Sequence, residues 1–152
     1  MSDRLHTMVQ ESNEEGRAPR LVPTGAALGA RVEGLDLRGL DTETFAFIYQ
    51  AWLDHQVLLF RDQSLTDEDL LAFSRRFGDL DEAPVQESGR RFVEGHPEIY
   101  VVSNVVEHGV PIGSLGAGEA VWHTDMSYLP DPPKASVLYA IEVPEHGGDT
   151  GF

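Results

Sequence analysis

Apolar and polar residues follow one another along this chain in patterns that mark its elements in turn. From Leu28 to Leu37 the string LGARVEGLDL alternates small or apolar residues with polar ones, the period of a half-buried strand. Val32, Leu35 and Leu37 are its expected inward side chains and Gly34 an irregularity in it. Thr42 then opens TETFAFIYQAWLDHQ, where Phe45, Ile48, Tyr49 and Trp52 recur at helical spacing, which predicts an amphipathic helix. Val57 to Phe60 is a short unbroken apolar run, VLLF, before the charged turn RDQ, the pattern of a strand buried on both faces. Thr66 caps DEDLLAFSRRFG, whose acidic residues fill the first turn and whose Arg75 and Arg76 fill the last, each sign matching the helix dipole. Gly78 ends that second helix.

Farther along, the period changes. Asp79 to Pro97 carries none and reads as loop, whereas Ile99 to Val102 restarts strand structure. The glycine-rich VPIGSLGAGEA, residues 110 to 120, reads as a mobile surface loop. A phosphate-cradling loop would need a lysine and a helix directly after it, and a Trp-His-Thr-Asp segment follows instead. Val121 to Tyr128 is expected to be extended. After the turn LPDPPK comes ASVLYAIEV, a β-prone run that ends at Pro144. Residues 1 to 20 hold many charges and no apolar period, the mark of a disordered leader; residues 21–152 would form the folded part.

Composition narrows the chemistry. The chain has 152 residues, 41% of them hydrophobic, enough for one domain or part of one. No run approaches the roughly 18 apolar residues that span a bilayer, and the polar start lacks a signal core, so a cytoplasmic protein is expected. Eleven Lys and Arg against 26 Asp and Glu give a formal charge of -15, which disfavours nucleic acid and anionic membrane surfaces as partners. There is no cysteine, so thiolate catalysis, zinc fingers, iron–sulfur clusters and disulfides are excluded. Any metal must bind through His and carboxylates.

His123 and Asp125 in VWHTDMSY are the residues that bear on this. In an extended chain, side chains two apart point the same way, so an imidazole nitrogen and a carboxylate oxygen here can share one ion. The pair suits Fe(II), Mn(II) or Zn(II), and His-x-Asp is two thirds of the 2-His-1-carboxylate triad that leaves positions open for other ligands. A hydrogen-bonded structural His–Asp pair is the alternative reading of the same residues.

The segments LGARVEGLDL, HQVLLFRDQSLTDEDLLAFSRRFGDL, WHTDMSY, PPKASVLYA and GGDT, in this order, resemble the family of taurine dioxygenase and 2,4-dichlorophenoxyacetate dioxygenase from about Leu21 to the last residue. The resemblance implies an α+β, mainly β fold: part of a double-stranded β-helix, or jelly roll, with flanking N-terminal helices. It implies an Fe(II)-dependent oxidoreductase that uses O2 and 2-oxoglutarate as cosubstrates, hydroxylating a small organic substrate while 2-oxoglutarate gives succinate and CO2. His123 and Asp125 would be iron ligands and the Thr150 hydroxyl a hydrogen-bond partner of a 2-oxoglutarate carboxylate. On an ungapped count from FGDL, the positions where the taurine-specific enzyme places a His and a Tyr beside the sulfonate are Ala83 and Gln86, and an Asn of that enzyme is replaced by Glu119. Such a pocket should not favour a sulfonate.

The family also uses a second His and an Arg downstream of GGDT, and Phe152 comes two residues after Thr150. Neither residue is assignable here, and a truncated or split product is the expectation. His146 in a turn, His55 in the first helix, and His6, His96 and His108 in a tail or loops are not assigned as ligands. A second copy or a complementing C-terminal chain is the expected kind of protein partner. An inactive fragment acting as a metal-binding or interaction module is the alternative function. A zinc hydrolase is weaker, because no further His lies at ligand spacing and no general base accompanies the pair.

Overall fold

The first strand of the computed structural model, which describes residues 18–86, 89–114 and 121–152, is β1, Arg20–Pro23. Most of the expected leader lies outside the described residues, and Arg20, placed at its end by sequence, already belongs to this strand. β1 runs antiparallel to β2, Ala30–Glu33, with Leu21 opposite Val32. Just past β2, Gly34 takes a φ of +78°, open to glycine at little cost, and this ends the alternation early. Val32 and Leu37 are buried as expected, while Leu35 is half-buried.

Helix α1, Thr42–His55, starts where Asp41 accepts a hydrogen bond from the Thr44 amide, the usual N-cap arrangement. Ile48 and Ala51 are its buried residues, and Phe45, Tyr49 and Trp52 are half-buried beside them. The helix returns the chain to β3, Leu58–Phe60, which pairs parallel with β2 so that Val32 stands opposite Phe60. A helix between two parallel strands is the usual crossover. The sheet order is β1-β2-β3, and one expectation is corrected here: β3 is an edge strand with Leu59 47% exposed, so the VLLF run is not buried on both faces. Gln63 ties the following turn to the sheet, accepting from the Leu37 amide at 2.9 Å and donating to Leu35 O at 3.1 Å.

The chain divides after Ser64 into a second unit. It opens with α2, Asp67–Arg75, whose capping box joins Thr66 and Asp69 through both backbone amides. Leu71 and Phe73 are its buried residues. Two dipeptide strands, β4 (Val106–Glu107) and β5 (Val110–Pro111), form a hairpin. His108 and Gly109 turn it with φ of +50° and +81°, the positive pair a tight hairpin turn requires.

The strand-rich half expected after Ile99 is not observed among the described residues. Ile99 to Val102, Val121 to Tyr128 and Ala135 to Val143 form no strand, and the helices, 14 and 9 residues long, outweigh the short strands. The α+β class holds; its mainly-β part does not. The physical reason lies in pairing, since β-propensity creates a strand only where a neighbour supplies the other half of the ladder. The Ala135 to Val143 run is instead strapped to α2. Lys134 Nζ donates to Phe77 O at 3.0 Å, past the helix C-terminus, and the Leu65 amide donates to Tyr139 Oη at 3.2 Å before its N-terminus. Leu138, Ile141 and Val143 are left exposed.

Ile48→Ala is expected to cost about 2–5 kcal/mol, the range for a fully buried aliphatic side chain, against about 0.5 kcal/mol for Leu59→Ala at the exposed edge; urea unfolding of the two variants checks the contrast. The Glu33 carboxyl accepts from Arg20 and Arg31, and the Arg20 bond above all holds its pKa below 4.5. A carboxylate shifted down stabilises the fold above its free pKa and loses that contribution as pH falls through the folded one. Glu33→Gln should therefore show a flatter loss of stability below pH 4.5 than the parent in an acid titration followed by circular dichroism.

Candidate functional site

His123 and Asp125 sit in a segment that is irregular through Thr124 and then turns over Asp125 to Tyr128. Met126 takes a φ of +53° in that turn, a conformation uncommon outside glycine, and the Leu129 amide closes it on Met126 O at 3.0 Å. The expected strand over Val121 to Tyr128 is thus an irregular stretch that ends in a turn. The two side chains still meet: His123 Nε2 lies 2.9 Å from Asp125 Oδ1.

The other ring nitrogen decides the tautomer. His123 Nδ1 lies 2.6 Å from Val121 O; a carbonyl only accepts, so Nδ1 carries the proton and donates. In the neutral ring Nε2 then presents a lone pair to the lone pairs of a carboxylate. That contact is repulsive unless a positive charge lies between them, either a proton on Nε2 or a metal ion. Accordingly the imidazole pKa is raised above 6.5, by the Val121 carbonyl first and then by the Asp125 hydrogen bond and charge. Two ligands bound at right angles to one ion at about 2.1 Å are about 3 Å apart, close to the observed separation. The same 2.9 Å is the length of a direct imidazolium–carboxylate hydrogen bond; imidazole nitrogen and carboxylate oxygen are donor types that Fe(II) or Mn(II) accepts, and Val121 O holds the ring through Nδ1. Both side chains are open to solvent, His123 at 68% and Asp125 at 64%. Among the described residues no group of three His, Asp or Glu converges on one point.

Thr150 lies in an exposed, irregular segment. Its neighbour Gly151 lies close to the outer edge of the Trp122 indole: a Cβ added to Gly151 would come within 2.7 Å of Trp122 Cη2. The chain thus returns from the Thr150 segment to the residue beside His123. The contact is a long-range one that no local pattern announces. Val121 was missed for a related reason, since it acts through its carbonyl and not its side chain.

Two of the residues proposed for the substrate pocket share one loop. Ala83 and Gln86 belong to a loop in which the Ala83 amide donates to Pro97 O and the Gln86 amide to Arg90 O, both at 2.9 Å. Arg91 braces that loop, pairing with Glu82 at 2.6 Å and donating to Ala83 O at 2.9 Å. Glu119 lies outside the described residues. His96 faces Glu68 of α2 at 3.3 Å, and His108 is in the hairpin turn, so neither approaches Asp125 as a ligand in the described hydrogen bonds. A shallow groove of about 520 Å³ in the first unit is lined by Arg31, Glu33, Arg61, Asp62 and Gln63; it contains none of the candidate residues.

The family model described as Taurine catabolism dioxygenase TauD, TfdA family matches residues 20–152. The chain belongs to this family. Among TauD/TfdA relatives, an (S)-phenoxypropionate/alpha-ketoglutarate-dioxygenase of Delftia acidovorans is 32% identical over 88% of this chain and 45% of its own length. An alpha-ketoglutarate-dependent 2,4-dichlorophenoxyacetate dioxygenase of Cupriavidus pinatubonensis is 32% identical over 86% of this chain and 48% of its own. The crystal structure of a taurine dioxygenase from Burkholderia xenovorans superimposes with a TM-score of 0.59 at 32% identity, over 77% of this chain and 38% of that one. The chain spans about half the length of the curated relatives it matches. The alpha-ketoglutarate-dependent dioxygenases among these relatives give the TauD/TfdA assignment its chemical sense.

Either His123→Ala or Asp125→Ala is expected to abolish saturable Mn(II) binding, read by electron paramagnetic resonance of the free ion. Retention of the parent affinity in both variants would show that the pair is structural.

Proposed function

We propose that this TauD/TfdA chain carries the first part of an Fe(II)- and 2-oxoglutarate-dependent dioxygenase domain, with residues 21–152 forming the N-terminal part of a jelly roll. The observation that carries the reading is the His123–Asp125 pair, 2.9 Å apart with the imidazole tautomer set by Val121. When bound, iron with 2-oxoglutarate and O2 would supply the oxidising chemistry that hydroxylates a small organic substrate. The part of His123 is to offer Nε2 once its proton is lost, because a protonated ring cannot ligate. Asp125 offers an anionic oxygen beside it, and Val121 keeps the ring from turning away. The Thr150 hydroxyl donates to a carboxylate of 2-oxoglutarate without placing a second charge there.

A further His ligand and an Arg fork for the far carboxylate would come from a segment or a complementing chain not among the described residues, or from a second copy. A cytoplasmic site of action belongs to the same reading. An inactive metal-binding or interaction module is the second reading, favoured by the absence of a converging third donor among the described residues.

Anaerobic titration of the chain with Fe(II) and 2-oxoglutarate tests the proposal. A visible charge-transfer band that is lost in His123→Ala is expected; no band in the parent supports the inactive module. The pocket positions Ala83, Gln86 and Glu119 replace a His, a Tyr and an Asn of the taurine-specific enzyme, so taurine should not stimulate succinate formation by a form that turns over. Taurine-dependent succinate would overturn that assignment.

A further inference from the structure

We propose that Trp122 is a positioning residue that holds the Thr150 segment beside the metal-binding pair by packing its indole on Gly151. The inference rests on the functional reading above and extends it to a side chain with no ligand role of its own. The geometry has two parts. Trp122 directly precedes His123, and Gly151 directly follows Thr150, so each partner of the contact is one backbone step, about 3.8 Å, from a candidate site residue. The contact is also close: a Cβ at residue 151 would meet Cη2, the far end of the indole, at 2.7 Å, closer than carbon atoms pack, so a side chain there would displace the ring. A ring this large that remains 80% exposed contributes little through burial. It approaches Gly151 closely, where the absence of a side chain leaves room for the end of the ring.

The arrangement assigns separate tasks. His123 and Asp125 are held by Val121 and by each other, independently of the indole, so metal affinity should not need Trp122. Thr150 lies in an irregular stretch whose described residues form no ladder, so the position of its hydroxyl should depend on the Gly151 contact. Loss of the indole is then expected to weaken 2-oxoglutarate and leave the metal alone. Phenylalanine is shorter and lacks the Cη2 that makes the approach, so Trp122→Phe should restore little of the effect.

The test uses the full chain in two steps. Without ligand, ring-current shifts of the Gly151 α-protons should be present in the parent, lost in Trp122→Ala and much reduced in Trp122→Phe. In calorimetry, Mn(II) affinity should agree within about twofold among the three proteins. Affinity of the Mn(II)-loaded chain for 2-oxoglutarate should fall about tenfold or more in Trp122→Ala, a change of about 1.4 kcal/mol, and also in Gly151→Ala. Unshifted Gly151 protons in the parent would overturn the proposal, as would equal 2-oxoglutarate affinity in parent and Trp122→Ala. Parallel loss of metal and cosubstrate would reduce Trp122 to a structural role and overturn it as well. A parent with shifted Gly151 protons that binds no 2-oxoglutarate would refute the functional reading and this inference with it, and the intact shift would distinguish that outcome from a failure of the contact.

Discussion

Backbone pairing is the constraint on which the rest of this structure depends. β2 has a neighbour on each side, antiparallel β1 and parallel β3, and so the short string ARVE becomes the centre of a sheet with Val32 and Ala30 buried. Helix α1 can cross between β2 and β3 because its own amides are satisfied internally and its exposed start is capped by Asp41. ASVLYAIEV has stronger strand formers than ARVE, yet it forms no strand. Its backbone finds no ladder among the described residues, and what fixes it is a pair of contacts at the two ends of α2, through Lys134 and Tyr139. Propensity proposes a strand; a neighbour makes one.

That distinction explains what could be read from the sequence. Both helices were legible because helix signals are local: Thr66 and Asp69 form their capping box three residues apart, and the apolar spacing of Phe45, Ile48 and Trp52 lies within one element. β2 was legible with its Gly34 break for the same reason. The exposure of Leu59 was not, since an apolar triplet cannot say whether its strand is central or at an edge. Nor was the turn after Thr124, which depends on a positive φ at Met126 that no turn residue advertises. The pairing of His123 with Asp125 was expected from strand alternation and arises instead from an irregular stretch running into a turn. Family membership was legible because it depends on the order of several motifs and not on how any one of them folds.

The site has an electrostatic logic of its own. Val121 commits the proton to Nδ1 and leaves Nε2 facing a carboxylate oxygen. In this state the pair is unsatisfied at close range, and a proton and a divalent ion compete to relieve it. Exposure of both side chains softens the conflict through solvent, so the pair can persist without metal and no large structural energy is stored in it. The same exposure means that two donors alone hold an ion weakly, and a dry, shaped cavity, which dioxygen chemistry needs to exclude water, requires more than the described residues provide around His123.

Net charge then bears on the order in which ligands would bind under the proposed function. At -15 the chain repels a dicarboxylate such as 2-oxoglutarate, and Asp125, directly at the site, adds to that repulsion at short range. The Thr150 hydroxyl can donate one hydrogen bond but brings no charge to offset it. A divalent cation is attracted by the same field, and once held between His123 and Asp125 it reverses the sign of the local potential. Metal before cosubstrate is the order this charge distribution favours. Trp122 fits that order: an uncharged ring can fix where the Thr150 hydroxyl waits without altering the field that the metal must first change.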